Sequence, residues 1–181
     1  MTRGPPRGGL SMWYPMFVLL LGFLVALTDQ ASKYLVRLSF AVGESRAVIP
    51  GFFDLTYVRN TGAAWGLFSG QNGSLTILSV VLLVAMIFFR RSFLSDTWEH
   101  RLALGLLIGG IVGNIMDRLR LGWVTDFLDF HWRAYHWPSF NVADAAICTG
   151  VGIYIVSALW LAGHPLHESR ARNPAAPARP R

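Results

Sequence analysis

Four apolar runs, at residues 12–27, 75–89, 102–116 and 143–162, divide this chain and limit its possible folds more tightly than any other feature. Each is a candidate transmembrane helix. Crossing a hydrocarbon core of roughly 30 Å takes about 20 residues of helix, and the first three runs are shorter than that. They must therefore continue into polar neighbours, which predicts spans at about 12–33, 74–91, 102–120 and 143–163. The extensions draw Asp29, Asn114, Asp117 and Arg118 into helix ends, and Asp144 lies near the start of the fourth span.

Composition agrees. Apolar residues make up 53% of the chain and charged residues only 14%, where a soluble domain carries roughly a quarter. The 16 basic residues are scattered between the apolar runs, so no continuous basic groove for nucleic acid is expected. A single cysteine, Cys148, excludes an intrachain disulfide framework, a thiolate zinc cluster and a C-x-x-C redox pair. No clean A-x-A site follows Leu27, so the first run reads as an uncleaved span rather than a signal peptide.

Residues 1–11, 90–101 and 164–181 carry nine arginines, while the larger opposite side, 28–74 plus 117–142, carries seven Lys or Arg. Basic residues concentrate on the cytoplasmic face, which puts both termini inside. The Pro-, Ala- and Arg-rich segment 164–181 cannot bury a core and is expected to be a disordered cytoplasmic tail. Strand-like stretches at 52–58 and 123–130 fall in the outer loops. The predicted class is an all-α membrane protein with four transmembrane helices and a small extracytoplasmic β element, residues 1–163 forming one domain.

An up-down-up-down bundle brings the end of helix 1, the end of helix 3 and the start of helix 4 to one membrane face. Asp29, Asn114, Arg118 and Asp144 all fall there, and ionisable groups at such depth usually face the bundle interior and mark a site. Simpler roles exist for several of them. Asn141 can cap helix 4 and place Asp144 at the third helical position, where an acid complements the helix dipole. Asp29 and Lys33 can form an i,i+4 pair, and Asp117 with Arg118 an interfacial ion pair. The five histidines lack metal-ligand spacing, no H-E-x-x-H or G-x-S-x-G occurs, and Ser32 beside Lys33 is a weak basis for a Ser/Lys protease.

What remains is carboxylate chemistry. In a strand over 123–130, Asp126 and Asp129 point to opposite faces, so only one of them can approach Asp144. Two carboxylates held close together cannot both ionise at neutral pH, and such a pair supplies acid and base together, with no metal or cofactor. The helix 4 N-terminus favours charge on Asp144, which assigns the resting proton to Asp126. The other class considered is a small proton-coupled transporter using Asp29, Arg118 and Asp144, which predicts acids spread through the membrane depth.

At these residues the sequence resembles lipoprotein signal peptidase, the bacterial signal peptidase II. The matching pieces are Asp29-Gln30-Ala31-Ser32-Lys33, Arg59-Asn60-Thr61-Gly62-Ala63-Ala64-Trp65-Gly66, Gly113-Asn114-Ile115-Met116-Asp117-Arg118, Val124-Thr125-Asp126-Phe127-Leu128-Asp129-Phe130 and Phe140-Asn141-Val142-Ala143-Asp144. Trp65 stands where the family usually has Phe, and Thr125 where an aliphatic residue is common. The resemblance implies a monomeric aspartic endopeptidase of the inner membrane that cuts prolipoproteins just before a diacylglyceryl-modified cysteine. It implies a catalytic pair Asp126 and Asp144, substrate-binding residues Asn60, Asn114, Arg118 and Asn141, and supporting roles for Asp29 and Gly62. It further implies a short surface helix over 62–68, contact with membrane lipid, and inhibition by cyclic peptides that lodge between the carboxylates.

Overall fold

A computed structural model describes residues 13–62, 67–93, 97–133 and 135–163. Four long helices, α1 (Trp13–Ser39), α2 (Asn72–Phe93), α3 (Trp98–Leu121) and α4 (Val142–Gly163), are each long and apolar enough to cross a membrane. Between them lie four strands, β1 (Ser45–Ile49), β2 (Phe53–Asn60), β3 (Val124–Trp132) and β4 (Tyr135–His136). They form one antiparallel sheet in the order β1-β2-β3-β4.

The all-α expectation therefore needs correction. The β element is a four-stranded sheet, of which the sequence showed only the two longer strands. The predicted surface helix falls partly on residues 63–66, outside those described, and residues 67–70 form a turn with Phe68 at φ 56°. Residues 164–181, read as a tail, also lie outside the described residues.

The helices α3 and α1 outrun their predicted ends. Twenty-seven residues make α1 about 40 Å long, more than a bilayer's hydrocarbon core, so its last turns reach the sheet. There Val36 packs with Tyr57 of β2 and Phe127 of β3 in a small buried core. The helix α3 is central and packs against α1, α4 and, less extensively, α2.

Glycines bring those helices close. A Cβ on Gly109 would lie 2.5 Å from the Gly22 carbonyl of α1, and one on Gly110 would lie 2.5 Å from the Ala143 carbonyl of α4. Without a hydrophobic drive between helices in lipid, such small-residue contacts supply the association through close packing. The outward faces stay apolar and exposed, as at Leu19, Phe23, Val81, Phe88, Val156 and Leu159. The effect of this packing is to fix the end of α3 between the end of α1 and the beginning of α4.

Candidate active site

Asn141 and Asp144 begin α4 with a reciprocal cap. The Asp144 N–H donates to Asn141 Oδ1 at 2.9 Å, and the Asn141 N–H donates to Asp144 Oδ2 at 3.3 Å. The cap satisfies two donors at the helix start and fixes the carboxylate rotamer. The other carboxylate oxygen, Oδ1, accepts from Asn114 Nδ2 of α3 at 2.7 Å.

Asp126 comes from β3. Opposite it β2 carries a bulge, the register shifting between Leu55 and Val58, so that Val58 pairs with Asp126 and Asn60 with Val124. Asn60 is thus the diagonal neighbour of Asp126 on one face of the sheet, and its Nδ2 donates to Asp126 Oδ2 at 2.8 Å. Asn141 Nδ2 donates to Asp126 Oδ1 at 2.6 Å and to Asn114 Oδ1 at 3.3 Å. Two asparagines, 114 and 141, consequently join the two carboxylates in one network.

Beneath this network lies a buried charge cluster. Lys33 Nζ is 2.8 Å from Asp29 Oδ2, 2.9 Å from Asn114 Oδ1 and 3.6 Å from Asp117 Oδ2. Asp29 Oδ1 also accepts the Ala143 N–H at 2.9 Å, which ties α1 to the first turn of α4. Asp117 accepts the Thr125 N–H at 2.9 Å, which ties α3 to β3. Removing one member of such a fully buried pair leaves an uncompensated charge, at a typical cost of about 3–5 kcal/mol.

Asp126 and Asp144 both line a cavity of about 560 Å³, together with Asn60, Gly62, Asn114 and Arg118. Arg118 is half-buried, and its Nη2 reaches the Gly62 carbonyl at 3.4 Å. A Cβ on Gly62 would fall 2.6 Å from the Leu67 carbonyl, so this turn accepts only glycine. Burial pushes the Asp126 carboxyl up to about 7, and the charge of Asp144 adds to that push. The hydrogen bonds from Asn60 and Asn141 and the Lys33 charge pull the other way. Among the described residues no group of three His, Cys, Asp or Glu could hold a metal ion.

The structure thus brings together Asp126, Asp144, Asn60, Asn114, Arg118 and Gly62 around one cavity, with Asn141 and Asp29 fully buried behind them. Asp129 is apart. It accepts from Thr56 Oγ1 at 3.3 Å and meets His136 Nδ1 at 3.2 Å, outside the cavity lining. We expect Asp129→Asn to leave the kcat of folded enzyme within about threefold of wild type, since the carboxylate lies out of reach of a substrate in the cavity and an amide can keep its Thr56 and His136 contacts. A loss as large as that of a cavity carboxylate, measured in the same cleavage assay, would refute this.

Asp117 differs from the reading as a partner of Arg118. Its carboxylate turns to α1 instead, where Arg37 Nη1 is 3.6 Å away and Lys33 completes its surroundings. Sequence reasoning missed the wall formed by Trp137, Pro138 and Phe140, and the apolar part of the cavity at Ile111, Ile147 and Cys148. Nothing in a loop or an apolar helix marks such residues. The i,i+4 positions of Asp144 and Cys148 are the one signal that could have found Cys148.

Residues 21–160 match the family described as Signal peptidase (SPase) II. The protein named lipoprotein signal peptidase in Syntrophotalea carbinolica is 44% identical over 143 residues, which cover 77% of this chain and 89% of that protein. The one so named in Shewanella loihica is 38% identical over 165 residues, covering 89% and 94%. A solved bacterial membrane enzyme superposes with a TM-score of 0.75 at 33% identity, covering 83% of this chain and 92% of its own. With four helices apolar enough to span a bilayer, this chain is a multi-pass membrane protein and belongs to the signal peptidase II family of peptidases.

Proposed function

We propose that the protein is a membrane aspartic endopeptidase that removes signal peptides from diacylglyceryl-modified prolipoproteins, cutting just before the lipidated cysteine. The observation that carries this reading is the pair Asp126 and Asp144, which face one cavity and are joined through the amides of Asn114 and Asn141. The names of the relatives supply the substrate class. The arginine distribution supports termini in the cytoplasm and a site near the extracytoplasmic face of the inner membrane.

In this mechanism Asp144, at the N-terminus of α4 and hydrogen-bonded by Asn114, is the ionised partner. It takes a proton from water held between the carboxylates, and the water attacks the scissile carbonyl. Asp126 gives its proton to the carbonyl oxygen as the diol forms, and the pair then delivers a proton to the leaving amine. Arg118, Asn60 and the other asparagines hold substrate carbonyls or the pair itself, Asp29 and Gly62 support the framework, and no cofactor takes part. A substrate confined to the membrane plane reaches the cavity at high effective concentration. Cyclic peptide inhibitors of the family compete for the same cavity.

The proton-coupled transporter has no observation in its favour, since α2 carries no acid and α4 carries only Asp144. The deciding experiment is cleavage of a purified diacylglyceryl-modified prolipoprotein by enzyme in detergent, with chelator present and absent. Cleavage before the lipidated cysteine in both arms supports the reading, and an intact substrate sinks it.

The pH dependence follows from Asp126. Catalysis needs one proton on the pair, and Asp126 holds it with a pKa of about 7. The carboxyl is protonated below that pH and ionised above it, so kcat/KM, which reports ionisations of the free enzyme, is expected to fall as pH rises through about 7. A kcat/KM independent of pH from about 6 to about 9 would contradict the shared proton.

A further inference from the structure

The Lys33 ammonium touches neither carboxylate of the pair, yet it is one amide from Asp144, through Asn114, and two from Asp126, through Asn114 and Asn141. It is fully buried, and its contacts are Asp29, Asn114 and, more distantly, Asp117. An ammonium can only donate, so the Asn114 atom that faces it must be the oxygen. That choice turns the Asn114 NH2 toward Asp144, where it donates at 2.7 Å. The same Asn114 oxygen accepts from Asn141, whose NH2 also donates to Asp126 Oδ1. Reversing the Asn114 amide would set NH2 against ammonium and oxygen against the Asp144 carboxylate.

We propose that Lys33 is a positioning residue for the dyad: its ammonium locks the Asn114 amide so that it donates to Asp144, and its charge limits how tightly the pair holds its proton. The proposal rests on the dyad reading above. The other charges facing this region are Asp29 and Arg37 from α1, Asp117 and Arg118 from α3, and Asp144 from α4. On the sheet, Arg59 stacks over Trp123 at 4.3 Å and Asp129 meets His136. Of the two lysine or arginine side chains on α1 beneath the site, only Lys33 contacts an amide that holds the dyad; Arg37 ends on Thr125 Oγ1 at 3.0 Å and on Asp117.

The test uses the full-length enzyme with a lipidated prolipoprotein, and compares pH profiles of kcat and KM. Lys33→Met combined with Asp29→Asn removes one charge of each sign and keeps the cluster balanced. We expect kcat to fall by about 10- to 100-fold with KM within about threefold, as when the outer partner of a catalytic ligand is lost. Asp126 feels the Lys33 charge more than that of Asp29, so the double variant still loses net positive charge at that carboxyl, and its alkaline limb should move up by at most about one pH unit. Arg37→Gln, equally close to Asp117, should lower thermal stability and leave the limb in place.

If the double variant does not fold, Asp29→Asn alone decides, because it leaves the ammonium and removes a nearby negative charge. Its alkaline limb should move to lower pH, and a limb that stays or rises overturns the proposal. So does a folded double variant with the wild-type profile, or an Arg37→Gln limb that moves as far. Asp126→Asn is run alongside: cleavage retained there means that the dyad reading itself has failed.

Discussion

Asp126→Asn and Asp144→Asn should each lower kcat for a diacylglyceryl-modified prolipoprotein by about 10⁴-fold or more while leaving the protein folded. Acid–base catalysis by a positioned side chain contributes about 10² to 10⁴-fold, and each carboxyl serves as acid in one step and base in another, so either loss removes both functions. The double variant should be hardly worse than either single one, because residues that act as a unit are not additive. The substitution keeps the size of the side chain. At position 126 the new amide must still meet donors from Asn60 and Asn141, so one hydrogen bond is lost, which typically costs about 1–3 kcal/mol. Thermal melting in detergent separates that modest destabilisation from the chemical effect. Cleavage within tenfold of wild type in either folded variant would rule out the pair.

The features that sequence shows best are those that apolar surroundings make conspicuous. Four helices were legible because each is an apolar run of near-bilayer length, and Asp29, Asn114, Arg118 and Asp144 because polar residues at the ends of such runs are expensive. Their extents were less clear. The first predicted span stopped at Lys33, whereas α1 continues to Ser39. The buried lysine is neutralised by Asp29 and Asp117, and the second of these partners is on another helix, out of reach of a local reading. Strand β1 is short and exposed along its whole length, so no alternation marks it. Strand β4 has two residues.

The site was partly legible for a similar reason. Alternation along β3 separated Asp126 from Asp129, and the spacing of Asn141 and Asp144 announced a helix cap. Neither pattern shows that the cap asparagine also reaches across to Asp126 and Asn114, because those contacts depend on where α3 lies. Nor does hydropathy distinguish a glycine that packs against a neighbouring helix from one that faces lipid. Gly110 and Gly152 look alike in the sequence, yet the first lies against α4 and the second has nothing within 4 Å of a would-be Cβ.

That difference sets up the second large effect. Gly110→Ala should lower kcat by about 100-fold, although residue 110 is not among the residues lining the cavity. The added methyl would fall 2.5 Å from the Ala143 carbonyl oxygen and 2.8 Å from Ile147 Cγ1. The Ile147 side chain can turn away, but a backbone carbonyl in the first turn of α4 cannot move without its neighbours. Restoring ordinary contact shifts that turn by about 1 Å, and Asp144 is the next residue along it. Displacements of this size at a reacting group cost about 10²-fold in rate, while overpacking costs only about 1–3 kcal/mol in stability. Activity should therefore fall much more than melting temperature does, and KM should change little. Gly152→Ala, with open space around it, should leave both within error and serves as the control for a glycine replaced in a membrane helix. A Gly110→Ala enzyme with kcat within about threefold of wild type would mean that α4 yields without disturbing the carboxylate pair, and that the close α3–α4 approach does not hold Asp144 in place.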